Sequence, residues 1–203
     1  MNKTISINLG GIAFNIDDEA YKLLDEYLKA IEIQFSDVDE RNEIIKDVEF
    51  RLAELFKEKI SLSKEVITLG DVDDVIIILG KPEDFNPEMD ENNEQNKQTN
   101  YRYTSKRMYR DPDNRLLGGV CGGMGAYLNI DSVLFRVLFV IIAILGFGTG
   151  LIIYLVLWIA IPEAGTTAQK LEMRGEPVTI ENIRKSVQNE FEKVKNNINK
   201  NKK

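Results

Sequence analysis

Residues Val137 to Ile161 read VLFVIIAILGFGTGLIIYLVLWIAI, 25 positions without a charge. As one α-helix this stretch would run roughly 37 Å, against roughly 30 Å for the hydrocarbon core of a bilayer. Its middle, GFGTG, places Gly146, Gly148 and Gly150 within five residues. Each glycine costs about 1 kcal/mol relative to alanine inside a helix. Two readings follow. In one, a single tilted transmembrane helix carries a glycine hinge at Gly146, Gly148 and Gly150. In the other, Ser132–Leu145 and Leu151–Ile161 are half-helices of about 21 and 17 Å that dip in and return. The second leaves backbone facing lipid at the break unless protein covers it, so the single span is the favoured expectation. Tyr154 and Trp158 suit an interfacial belt, and Pro162-Glu163 closes the run.

Immediately upstream lies RLLGGVCGGMGAYL, Arg115 to Leu128, in which five of fourteen residues are glycine. Leu117, Val120, Cys121, Met124 and Leu128 nevertheless fall at helical spacing. Gly118 and Gly122 form one small-xxx-small pair, and Gly119 and Gly123 a second. Such pairs let a neighbouring helix approach the backbone closely. The expectation is a glycine-rich juxtamembrane helix pressed against the span of the same or another chain. Asp131 is placed to cap the following helix, and Arg136, one turn inside it, to snorkel to headgroups. Arg110 and Arg115 are further interfacial anchors. A phosphate loop is excluded, because Gly-Ala-Tyr stands where Gly-Lys-Ser/Thr is needed. Cys121, the only cysteine, reads as a packing residue; thiol sensing or palmitoylation cannot be read from one residue.

Charge divides the chain. Residues 1–90 hold 10 Lys/Arg against 22 Asp/Glu, a net −12, whereas residues 91–203 hold 16 against 11, a net +5. An acidic front half argues against nucleic acid as a ligand. The absence of histidine and the single cysteine remove His-based catalysis, intramolecular disulfides and the usual zinc clusters. No charged leader precedes an early apolar run, so no secretory signal peptide is read. No nucleophile–base pair, metal spacing or cofactor motif stands out, and no enzymatic activity is expected. Lys/Arg upstream of the apolar run (Arg102, Lys106, Arg107, Arg110, Arg115, Arg136) outnumber those downstream (Lys170, Arg174). For a single span this places the N-terminal module in the cytoplasm.

Residues 1–86 read as an acidic, α-rich module with a β-hairpin. Ile5, Ile7 and Leu9 alternate with polar residues up to Gly10-Gly11, a two-residue turn. A helix capped by Asp17 or Asp18 follows, with Leu24, Leu28, Ile31 and Phe35 as its stripe. A second carries Ile45, Val48, Leu52, Leu55 and Ile60. Residues 66–80 read as a short extended lead-in and a helix from about Asp71, stopped by Gly80 and Pro82. Residues 87–106 are a polar linker, 107–164 the glycine-rich and apolar unit, and 165–203 a helical tail. In the tail, Ile180, Ile183, Val187, Phe191, Val194 and Ile198 form one stripe behind a Thr179 cap. Such a helix seeks a partner: another copy, another protein or a lipid surface.

Taken in order, Met108-Tyr109-Arg110, the Arg115-Leu-Leu-Gly-Gly-Val-Cys-Gly-Gly run, Tyr127-Leu128, Asp131, Val133 to Arg136, the glycine-broken apolar run and the Trp158-to-Pro162 close form a specific combination. Arg107 to Ala164 thereby resembles the phage shock protein C (PspC) domain. DVEFRLAELF and ILGKPEDF, in the N-terminal module, resemble the HAAS signalling-domain pattern. The PspC resemblance implies an inner-membrane envelope-stress sensor or adaptor. Its implied partners are the lipid bilayer and a phage shock protein A-like effector or a transcriptional regulator, with a homo-oligomer as a further form; it brings no catalytic residues. The acidic extension and the tail depart from the minimal family member. The alternative is a constitutive membrane anchor or scaffold subunit of an envelope complex.

Overall fold

The computed structural model describes residues 3–60, 64–81 and 106–200. Linker residues 87–105, Arg102 among them, and the Pro82–Phe85 end of the HAAS-like signature lie outside the described residues. The chain divides into two units, Met1–Arg102 with Val178–Lys203, and Tyr103–Pro177.

In the first unit, β1 (Thr4–Leu9) and β2 (Ile12–Asp17) pair antiparallel with Leu9 opposite Ile12. The turn residues Gly10 and Gly11 have φ of 55° and 84°. A two-residue turn with both central φ positive matches the twist of the flanking strands, and only glycine takes both values without strain. β3 (Val66–Ile67) adds parallel to β2, giving the order β1-β2-β3. Helix α1 (Asp18–Ile33) buries Ala20, Leu24, Tyr27 and Ile31. Asp17 occupies the N-cap position, but its side chain accepts no capping hydrogen bond, and Asp18 pairs with Lys22 instead. Helix α2 (Val38–Lys59) is capped by Asp37, which accepts from the Asp39 and Glu40 amides at 2.9 and 3.1 Å. Helix α3 (Leu69–Leu79) begins with a capping box between Thr68 and Asp71. Leu24, Ile44, Leu52, Phe56, Ile67, Val72 and Leu79 form the centre of the core.

The second unit holds α4 (Val120–Leu128), α5 (Ser132–Leu145), α6 (Thr149–Ala160) and α7 (Thr167–Arg174). The last helix, α8 (Ile180–Lys200), belongs to the first unit and packs on α2. Its Ile180, Ile183 and Val187 are fully buried, and Thr179 Oγ1 accepts from the Asn182 amide at 3.3 Å. The first half of the stripe finds its partner in its own chain, whereas Phe191 and Val194 are exposed.

The single transmembrane helix is overturned. The apolar run is two helices of 14 and 12 residues, about 21 and 18 Å long. Among the described residues no helix is long and apolar enough to cross a membrane. The reason lies in the glycines. Gly146 ends α5, Phe147 and Gly148 take φ of 49° and 90°, and the Gly148 amide returns to the Ala143 carbonyl at 2.8 Å. That six-residue closure satisfies a helix-end carbonyl in the manner of a Schellman motif. Gly150 then lets α6 fold back: a Cβ there would stand 2.6 Å from the Ala143 amide nitrogen and 3.0 Å from the Phe139 carbonyl. With the span go the readings that depended on it. These are the lipid bilayer as partner, the inner-membrane location, the cytoplasmic placement of the N-terminal module, and the membrane-embedded stress sensor or anchor.

Candidate functional site

The glycine-rich segment is only partly a helix. Gly118 and Gly119, with φ of 54° and 79°, form the turn before α4, and Gly119 is its N-cap. Gly122, Gly123 and Gly125 lie inside α4 and are buried. The four paired glycines do not share one partner. A Cβ on Gly118 would stand 2.8 Å from the Trp158 ring on α6. One on Gly119 would stand 2.5 Å from the Asp111 carbonyl oxygen, and one on Gly122 2.7 Å from that of Asn114. One on Gly123 would overlap the Tyr109 carbonyl oxygen. Three of the glycines thus seat the chain's own lead segment, residues 109–114, against α4.

That segment is tied down by polar contacts. Arg110 forms a parallel bridge with Glu163: its amide donates to the Pro162 carbonyl at 2.8 Å, and Ala164 N–H donates back to Arg110 O at 3.0 Å. The Arg110 side chain donates to the Ile161 and Gly118 carbonyls, each at 2.8 Å, and lies 3.4 Å from Glu163. One guanidinium therefore joins the start of the unit, the glycine turn and the end of α6. Arg115 reaches Glu163 only at 3.8 Å and is largely exposed, so that pair adds little. Asp111, buried, accepts from the amides of Asp113 and Asn114 at 2.9 and 3.3 Å. Asn114 donates to Ser132 Oγ at 3.0 Å and accepts from Arg136 Nη2 at 2.7 Å. Arg136, expected to reach lipid headgroups, is bonded within its own unit. Asp131 caps α5 as the sequence reading proposed, accepting from the Val133 amide at 2.9 Å. Tyr109 packs with Ala164 and Met173 and bonds Glu172 at 3.2 Å.

Tyr154 donates its hydroxyl to the Leu117 carbonyl. Its ring meets Phe139 edge-on at 5.4 Å and Trp158 at 6.5 Å. Since 139 faces 154 and 143 faces 150, α5 and α6 run antiparallel. Between the hairpin and the 114–119 turn opens an apolar cleft of about 220 Å³, lined among others by Leu117, Cys121, Phe139, Val140, Leu151 and Tyr154. Burial pushes the Cys121 thiol above its ordinary pKa despite the nearby Arg136 charge, so at neutral pH it is a protonated wall residue rather than a nucleophile. Among the described residues no cluster of His, Cys, Asp and Glu could hold a metal ion.

Sequence reading missed Asp111, Asn114 and Glu172, which organise this unit. The signal for the first two was present in Asp111-Pro112-Asp113-Asn114, a turn-forming run whose leading Asp bonds its own backbone two and three residues on. Nothing local marks Glu172, which is 63 residues from its partner.

No solved structure matches the chain. The PspC domain family matches residues 106–164. A Bacillus subtilis (strain 168) protein described as "Uncharacterized membrane protein YvlC" is 36% identical over 55 residues, covering 27% of this chain and 85% of that protein. The match takes in the lead segment, the glycine turn, the Arg110 clamp and the helical hairpin, and on this ground the chain belongs to the PspC-domain family.

Proposed function

We propose that the protein is a non-catalytic assembly module, in which the α5–α6 hairpin of the PspC unit packs against the hairpin of a second copy. The observation that carries the reading is the surface of the hairpin. Among the described residues from Val133 to Ile159, sixteen large apolar side chains are exposed. At roughly 100 Å² each this is on the order of 1,500 Å², against about 300–600 Å² for the largest patch on a typical monomer and about 800 Å² per partner in a standard interface. No charge interrupts it between Val137 and Ile161, so its complement is another uncharged face, which a second hairpin supplies. Association would hold two acidic N-terminal units together as a bivalent surface. The likeness of that unit to HAAS signalling domains, carried by DVEFRLAELF and ILGKPEDF, would make it the part that meets a signalling partner.

Sedimentation of the full chain across a wide concentration range, with and without phospholipid vesicles, tests this. Concentration-dependent association that Ile144→Glu with Ile159→Glu abolishes supports the reading. A chain that stays monomeric, or that leaves its own kind for vesicles, refutes it.

A further inference from the structure

Resting on that assembly reading, we infer that Phe147 at the hairpin tip of one copy inserts into the apolar cleft of a second copy, against Cys121, Phe139 and Tyr154. Phe147 is 101% exposed, the most exposed large apolar side chain among the described residues, and it sits at φ 49°. A left-handed backbone at a bulky residue is strained. Glycine or asparagine at this turn would remove the strain and the exposed ring together. The phenyl group is left fully exposed by its own unit.

The cleft has the size and character of the missing partner. A dry apolar cavity of about 150 Å³ accepts benzene, and this one, at about 220 Å³, has room for a phenyl ring and its Cβ. Two of its walls are aromatic, Phe139 and Tyr154, and aromatic walls favour an edge-on ring. Knob and hole lie at different places on one surface. A two-fold arrangement, with each tip in the other copy's cleft, buries both and closes the assembly at a pair.

The test uses the one native cysteine. In the full chain carrying Phe147→Cys, diamide oxidation at alkaline pH, where the Cys121 thiol reacts, should join Cys121 of one copy to position 147 of another. The product is a reducible covalent dimer, whose 147–121 peptide contains one light and one heavy half when unlabelled and nitrogen-15-labelled chains are mixed. The dimer linkage should disappear when Cys121→Ser is added. Phe147→Ala removes both anchors of the pair and should weaken association about a thousandfold, about thirtyfold for each buried aromatic. Both variants keep a non-glycine residue at the same φ on an exposed tip, so they add no strain and retain the fold. Wild-type protein that associates while the 147–121 linkage never forms between copies overturns the inference and leaves the assembly reading standing. Association undiminished by Phe147→Ala does the same. Wild-type protein that never associates overturns both.

Discussion

Replacing Gly123 by alanine separates two opposed expectations. Helix propensity alone favours the change, because alanine is better than glycine inside a helix by about 1 kcal/mol. The geometry says the reverse. The added Cβ would overlap the Tyr109 carbonyl oxygen and lie 2.9 Å from its carbon and 3.1 Å from the Arg110 Cα. These are backbone atoms, which no side-chain rotation moves aside. Relief requires the lead segment to shift away from α4, which breaks the two bridge hydrogen bonds of Arg110 with Pro162 and Ala164. Each is worth about 1 kcal/mol. The shift also disturbs the seat of Tyr109 with Met173 and Ala164, an overpacking cost of about 1–3 kcal/mol. Against the propensity gain, the net loss is about 2–4 kcal/mol. Trp158, the only tryptophan, lies in this unit, so its fluorescence in a denaturant titration reads the unit's stability directly. Gly70→Ala is the control: it is helical, its Cβ meets nothing within 4 Å, and it should stabilise by up to about 1 kcal/mol, followed by circular dichroism. A Gly123→Ala variant as stable as the wild type, or more so, would refute the close-approach argument.

Gly148→Ala tests backbone strain without crowding, since a Cβ there meets nothing within 4 Å while φ is 90°; a loss of about 1–2 kcal/mol in the same fluorescence titration is expected. Ile183→Ala removes a fully buried side chain on α8 and should cost about 2–5 kcal/mol, read by circular dichroism as an earlier unfolding of the first unit. Asp71 accepts from the Thr68 amide and hydroxyl at 2.9 and 2.7 Å and from Lys64 at 2.6 Å. Burial works to raise its pKa, but the Lys64 and Thr68 hydrogen bonds outweigh it and the value lies below the ordinary one. A depressed folded-state pKa contributes stability above the ordinary aspartate value of about 3.9 and loses it as pH falls through the folded value. The stability difference between wild type and Asp71→Asn should therefore be present at neutral pH and vanish in acid below that range; a difference unchanged at low pH would refute the assignment.

The first unit was largely legible because its elements are short-range in origin. Strand alternation, Gly10-Gly11 and the 3.6-residue stripes each fix local structure from neighbouring residues. The misses there are rotational: α1 buries Tyr27, whose hydroxyl donates to the Gly80 carbonyl at 2.8 Å, where the stripe named Leu28. A tyrosine with a polar end reads as a surface residue until its partner, 53 residues away, is known. The glycine pairs were legible as sites of close approach but not in what approaches. Spacing says that bulk is absent; it does not say whether a helix, a ring or an extended segment fills the gap, and here Gly118 meets Trp158 while the others meet residues 109–114.

The single-span reading of the apolar run was favoured because hydropathy sums over a stretch, whereas chain direction is set residue by residue; the half-helix alternative already gave Ser132–Leu145, the bounds of α5. A window over residues 137–161 registers the absence of charge and is blind to three coupled facts at its centre. Gly146 can end a helix, Phe147 and Gly148 adopt positive φ, and Gly150 presents a bare backbone to Ala143. None is decisive alone: a glycine inside a helix costs about 1 kcal/mol, which burial readily offsets. Together they change the balance, because the turn satisfies the α5 end through the Gly148–Ala143 hydrogen bond. The turn also lets the returning helix add contacts that a straight helix lacks, Phe139 on Tyr154 and Tyr154 on the Leu117 carbonyl. A continuous helix would recover the glycine cost and forfeit all of these. The signal that distinguishes the two is a small residue one turn beyond a glycine pair, with an aromatic on each arm at matching distance from the break, as Phe139 and Tyr154 are here. That pattern marks two arms that face one another, and what it leaves outside is the apolar surface on which the assembly reading depends.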